Sequence, residues 1–159
     1  MASPFGAITK ASIEWAVAWK DRVADAVRSE APVGGTRQLS MFSGKDDSTT
    51  LQASIRGRAS GRVGGAMLEV LAGVSYALII RDGRGIVVPV NAQVLHWVDE
   101  EGQDVFSMTS KAVEPNPYGE RGWEKVKAEA MADLGRRLAK AATAELLATA
   151  RAGGMKVGL

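Results

Sequence analysis

The chain has 159 residues, with 20 lysines and arginines against 18 aspartates and glutamates, a single histidine and no cysteine. That length suits one domain with a sizeable buried core, and the lack of cysteine excludes disulfides, thiolate metal sites and cysteine nucleophiles. A net charge of +2 argues against a dedicated nucleic-acid binder, which carries a larger basic excess.

At the N-terminus, MASPFGAITKASIEW has no basic stretch followed by an apolar one, so no secretory signal is expected. The longest strongly apolar run, IVVPV, is far short of the roughly 20 residues that cross a bilayer. A soluble product of the cytoplasm, with no membrane partner, is expected. From Ala7 to Ser29 the pattern is helical: Trp15, Trp19, Val23 and Val27 recur every fourth residue as one core stripe. Ala31-Pro32 ends the helix, because a residue before proline avoids the α region. Residues 33–50, VGGTRQLSMFSGKDDSTT, carry turn chemistry at Gly34-Gly35 and Ser43-Gly44. Aperiodic segments of this length are usually functional or order on a partner. This one is expected to be an extended arm that docks on a neighbour, with Met41 and Phe42 as its apolar anchors.

Thr50 to Ala59 fits either a short helix or a strand. Beyond Gly64-Gly65 the chain turns β-like through AMLEVLAGV and GIVVPV. The runs QVLHWV and DVFSMTSKAV flank DEEGQ, the signature of a hairpin. After the connection EPNPYGERGW a long helix is expected from Trp123 to Ala150. Val126, Ala130, Leu134, Leu138, Ala142, Leu146 and Ala150 would form one narrow stripe. The expected fold is α+β: one domain over 1–159, with a helix at 7–29, the arm at 33–50 and mainly antiparallel sheet at 51–114. A helix at 117–150 and a tail at 151–159 complete it.

Candidate chemistry is sparse. His96 is alone, which excludes a two-histidine metal pair, and it reads as a sheet histidine with a satisfied hydrogen bond. DGRG at 82–85 and GRVGG at 61–65 match neither glycine-rich phosphate motif. There is no G-x-S-x-G elbow. No enzyme, metal or cofactor is therefore expected. Charge is more informative. Arg37, Lys45, Arg56, Arg58 and Arg62 lie between Gly34 and Gly65 with only Asp46 and Asp47 against them. Asp99, Glu100, Glu101 and Asp104 cluster at the hairpin tip with no base among them. A basic segment meeting the acidic hairpin of an identical neighbour would make a head-to-tail contact. Non-specific contact with DNA phosphates is the alternative. Phe42 is the one aromatic residue available there for stacking, so sequence-specific single-strand binding is not expected.

Taken in order, several stretches resemble one family. They are APVGGT after the first helix, then LQASIRGR, VSYALIIRDGRG, IVVPVNAQVLHW, VFSMTSKAV, and PNPY before the last helix. Over residues 7–150 this order is similar to the small head–tail joining proteins of long-tailed phages, also called neck or tail-completion proteins. Two departures stand out: Thr36 and Leu39 are separated from Ser54 and Ile55, and Tyr118 follows Pro117 where phenylalanine is common. The resemblance implies a structural virion protein with no catalytic role. It implies a ring of copies, a hexamer to match the sixfold tail or else a dodecamer, around the channel that DNA crosses. Its partners would be itself and adjoining stopper, adaptor, terminator or tail-tube proteins, with non-specific contact to packaged DNA. Tyr76 would be a buried anchor, Gly83 and Gly85 a tight turn with positive φ, and IVVPV a sheet strand with Pro89 at an edge or bulge. Leu95 and Trp97 would be core. A tail terminator ring is the close alternative, and a basic nucleic-acid-binding module the more distant one.

Overall fold

The computed structural model describes residues 6–32, 50–62, 64–74, 76–90, 92–98 and 103–154. The expected arm with its anchors Met41 and Phe42 and its bases Arg37 and Lys45 lies outside the described residues, apart from Thr50. So do the tip acids Asp99, Glu100 and Glu101.

The first helix, α1, runs Gly6–Glu30 and buries Trp15, Trp19, Val23 and Val27 together with Ala11, Ala16 and Ala24. Its last turn closes with Ala31 N–H on the Val27 carbonyl at 3.1 Å, and Pro32 follows. A single turn, α2 (Leu51–Ser54), is capped by Thr50, whose hydroxyl accepts from Ala53 N–H at 3.1 Å. Strand β1 (Ile55–Arg62) then pairs antiparallel with β2 (Gly65–Ala72) around a turn in which Gly64 has φ 83°. Thr50 to Ala59 is thus helix first and strand second. The inner face of this ribbon is Ile55, Gly57, Ala59 and Gly61 on β1 and Ala66, Leu68, Val70 and Ala72 on β2.

A six-residue helix, α3 (Ala77–Asp82), follows the buried Tyr76. A second ribbon pairs β3 (Leu95–Val98) with β4 (Asp104–Ser107), with Trp97 opposite Val105. The last helix, α4, runs Tyr118–Ala152. The α+β class expected from the sequence holds: an N-terminal helix, antiparallel strands and a long C-terminal helix packed together. The strands fall into two separate two-stranded ribbons.

One expectation fails. IVVPV forms no strand; residues 86–90 are irregular, with a lone bridge from Val87 to Ser110 and a bend at Val90. Ile86, Val88 and Val90 are exposed there, because no element among the described residues covers them. A second expectation needs correction in α4. Ala130 is fully buried, yet Leu146 is 71% exposed. A four-residue repeat advances about 40° past a full turn at each step, so the stripe winds away from any straight partner. In addition, Glu145 Oε1 accepts from Ala7 N–H at 2.8 Å, so α4 overhangs the start of α1 from about there onward.

Helices α1 and α4 run antiparallel, and aromatic side chains join them. Trp15 Nε1 donates to the Ala130 carbonyl at 2.8 Å, and Trp19 Nε1 donates to Asp133 Oδ2 at 2.9 Å. Arg137 Nε also donates to that oxygen at 2.8 Å. Arg22 stacks over the Trp19 ring at 4.1 Å, and its Nη2 donates to both oxygens of Glu129. At the other end Glu30 receives Arg121 and Lys125. The crossing is close because Gly122 has no side chain: a Cβ there would strike the backbone of Val27 and Ala26. Gly57 does the same for the ribbon, lying against the Lys20 carbonyl of α1.

Two outcomes follow from these contacts. Gly122→Ala and Gly57→Ala should each lower stability by about 1–3 kcal/mol, because backbone must move to admit the methyl. Gly85→Ala, with open space around it, should stay within about 0.5 kcal/mol; urea unfolding at constant m-value measures all three. The second outcome concerns Asp133. The Trp19 indole first, and the Arg137 guanidinium next, hold its carboxyl below the ordinary carboxylate range. A depressed folded pKa gives stability that is complete above the unfolded value, about 4, and is lost as pH falls through the folded one. Asp133→Asn should therefore melt below wild type at neutral pH, with the gap narrowing on acidification below that range. A gap that does not change with pH would mean the charge of Asp133 is not its source.

Candidate assembly interface

Three surfaces are left unpartnered by the packing just described. The first is the outer face of the β1–β2 ribbon. Alternation puts Arg56, Arg58, Ser60 and Arg62 on that face, opposite Leu71, Glu69, Met67 and Gly65 in turn. All three arginines are exposed, and none has an ion pair or side-chain hydrogen bond among the described residues. The sequence left Arg56 and Arg58 on either a short helix or a strand; they sit on strand β1, whose inner face packs on α1.

The second surface is the excursion between α3 and α4. Its root is tightly held. Arg84 and Val113 exchange backbone hydrogen bonds at 2.9 Å each, and Asn116 N–H reaches the carbonyls of Ile80 and Arg81. Gly83 has φ 73°, and a Cβ there would meet the Val113 carbonyl at 2.6 Å and Pro115 N at 2.9 Å. Gly85 corrects the expectation of a second glycine-dependent position: its φ is not positive and a Cβ there would meet open space. Beyond the root, pairing becomes irregular. From Val87 to Leu95 the outgoing chain takes eight steps, while the return from Ser107 to Ser110 takes three, leaving five extra residues on the outgoing side. Pro89 falls in this excess, half-buried and outside any strand. Alternation within it turns Val87 and Pro89 inward and Ile86, Val88 and Val90 outward, at 67%, 55% and 89% exposure.

Farther out, β3 and β4 carry a small polar–aromatic cluster. His96 stacks on Phe106, with ring centroids 4.6 Å apart at 15°, and its Nε2 lies 2.7 Å from Asp104 Oδ1. The histidine hydrogen bond expected from the sequence is present. Asp104, expected as a tip acid, is instead the first residue of β4 and already meets His96 within the ribbon. Leu95 is half-buried, whereas the side chain of Trp97 lies outside the described residues. Phe106 and Met108 remain exposed at 64% and 65%.

The third surface is an open groove of about 870 Å³ between β2, α3 and α4, floored by Trp15, Val27 and Ile55. Its walls include Leu68, Val70 and Leu71 on β2, Leu78 on α3, and Tyr118, Trp123 and Met131 on α4; Arg81 and Glu120 are its charged lining residues. Burial raises the Tyr118 hydroxyl above its ordinary pKa. Arg81 is occupied by Asp82, whose carboxyl its hydrogen bond holds low. Among the described residues no cluster of histidine, aspartate and glutamate could hold a metal ion.

The arginines and the hairpin acid were visible in the sequence, but the exposed row and the groove were not. IVVPV reads as buried because every residue in it is apolar. The signal that could have separated it is the proline within the run, which itself lies between GRG and NAQ. Surfaces without internal partners should tolerate change. Arg56→Gln with Arg58→Gln, and separately Val88→Ser with Val90→Ser, should leave the folding free energy within about 0.5 kcal/mol per substitution. A cooperative loss of several degrees in melting temperature would make those residues part of the scaffold instead.

Comparison of the chain with protein-family models, curated proteins and solved structures finds no match.

Proposed function

We propose that this chain is a structural protein of a phage virion. Copies form a ring at the neck or head-proximal end of the tail and join head to tail around the DNA channel. The ordered series of stretches from APVGGT to PNPY supports the family. The observation that carries the reading is the pairing of a rigid three-layer scaffold with surfaces that the scaffold does not use. The arginine face and the excursion serve no internal packing, and large exposed apolar residues on an otherwise folded chain mark contact with another molecule. A basic strand face and, in the sequence, an acidic stretch at 99–104 on one chain suit a head-to-tail contact between copies, which closes into a ring when the rotation allows. The ring's other partners are the adjoining neck and tail proteins.

A second reading, a nucleic-acid-binding module, is favoured by the spacing of Arg56, Arg58 and Arg62 along one strand face. It requires duplex affinity that falls steeply with salt. Electron microscopy of lysate from a phage lacking this gene separates the readings. Full heads beside separate, finished tails are expected. Overlong tails would move the protein to the terminator position, and normal infectious particles would sink the virion reading.

A further inference from the structure

We propose that the outer face of the β1–β2 ribbon binds the phosphate backbone of duplex DNA, with Arg56, Arg58, Ser60 and Arg62 taking successive phosphates of one strand. The inference rests on the nucleic-acid reading above and commits it to a face, a ligand group and a mode of contact. In a ring it also names the face of each copy that turns toward the DNA.

The outward positions of β1 are Arg56, Arg58, Ser60 and Arg62, and every one of them carries a hydrogen-bond donor. The three arginines are exposed and Ser60 is half-buried. None of the four has an ion pair or a side-chain hydrogen bond among the described residues. Most other arginines are engaged within the chain: Arg22 with Glu129, Arg28 with the carbonyls of Gln52 and Ile55, Arg81 with Asp82, Arg121 with Glu30 and Arg137 with Asp133. The row on β1 cannot turn inward. On the opposite face of that strand, Gly57 lies against the Lys20 carbonyl and Gly61 against the Ile13 side chain of α1.

Pitch and composition select the ligand. Alternate residues of a strand stand about 6.6–6.8 Å apart, so the row spans about 20 Å in three equal steps. A duplex strand rises about 3.4 Å per phosphate along the helix axis, and because it winds around that axis its phosphates stand roughly twice as far apart along their own path. Row and backbone therefore repeat at one pitch, donor against anion. Across the ribbon, Leu71, Glu69, Met67 and Gly65 complete the face without an aromatic residue. It thus has no platform on which the bases of a single strand would stack, whereas the bases of a duplex are already stacked on one another. Glu69 is the one acid on the face and lies opposite Arg58. Three arginines less one acid leave this face at +2, as much as the net charge of the whole chain.

The test is the anisotropy of a short fluorescent DNA duplex titrated with the full-length protein across a salt series. At about 0.9 per neutralised phosphate, three arginines predict that log K falls by about 2.7 for each tenfold rise in salt. Arg56→Gln, Arg58→Gln and Arg62→Gln should each flatten that slope by about 0.9. Ser60→Ala should weaken binding with the slope unchanged, because a hydroxyl displaces no counterion. Two unrelated duplex sequences should bind alike, since backbone contacts carry no sequence information. As a control, Lys10→Gln with Lys127→Gln and Lys140→Gln removes the same charge from exposed positions on α1 and α4; it should keep most of the affinity and the slope. An equal loss in that control, or undiminished binding when all three arginines are replaced, would overturn the proposal and leave the nucleic-acid reading standing. Polyglutamate competing as strongly as DNA at equal charge would overturn it in favour of an acidic protein partner. No binding by the wild-type protein at low salt would reject the proposal and the nucleic-acid reading together, leaving the neck reading to the gene-deleted phage.

Discussion

Trp15 and Trp19 press two indole rings from α1 onto α4 and donate both of their N–H groups to it, one to a backbone carbonyl and one to Asp133. A buried indole must find an acceptor, so these bonds fix the translation and rotation of one helix on the other. Gly122 then permits the close approach at the far end, where Val27 occupies the space a side chain would need. Ion pairs line the same seam outside, from Arg22–Glu129 to Glu30 with Arg121 and Lys125. Exposed pairs of this kind add little each; the tryptophans and the glycine determine the geometry.

With α4 held on one side, α1 has a second side to cover, and the first ribbon covers it. Ile13 and Lys20 face the glycines of β1, while Trp15 and Trp19 face α4. Beyond Ile55 the inner residues of β1 are small, while on β2 Leu68 and Val70 also line the groove. Among the described residues no layer lies over the ribbon's outer face, which carries the arginines. Arg28 and Gln52 complete the joint: Arg28 donates to the carbonyls of Gln52 and Ile55, and Gln52 donates to that of Ala31. The two ends of the segment 33–49 are thereby held side by side at the edge of the core.

The excursion from Gly83 to Pro115 stands outside this three-layer arrangement. Its root is clamped by backbone hydrogen bonds and a glycine, but beyond the root most of its large apolar residues face solvent. A segment that is firmly rooted and poorly covered can be presented to a neighbour at a defined angle. This is the physical basis of the proposed assembly role, independent of any resemblance.

The long helices α1 and α4 were legible in the sequence because their pattern is local, whereas the short α3 lies in a stretch that reads as mainly sheet. Trp15, Trp19, Val23 and Val27 recur at the period of a helix, Pro32 stops it, and the hairpin of β3 and β4 announces itself by two alternating runs around a polar turn. The bases of β1 and the acid of β4 were legible as charges, though not as members of a strand face or of a His96 pair. Three features were not legible. The necessity of Gly57 and Gly122 depends on the backbone of another element, which no local pattern encodes. The drift of the α4 stripe out of contact depends on the length and direction of α1. The exposure of Ile86, Val88 and Val90 depends on whether any layer lies over them, and an apolar run reads the same whether the layer exists or not. Residue periodicity thus determined which segments are helix and hairpin, because the backbone repeats locally. Tertiary structure alone decided which apolar surfaces are covered, because covering one requires an element from elsewhere in the chain or from another molecule.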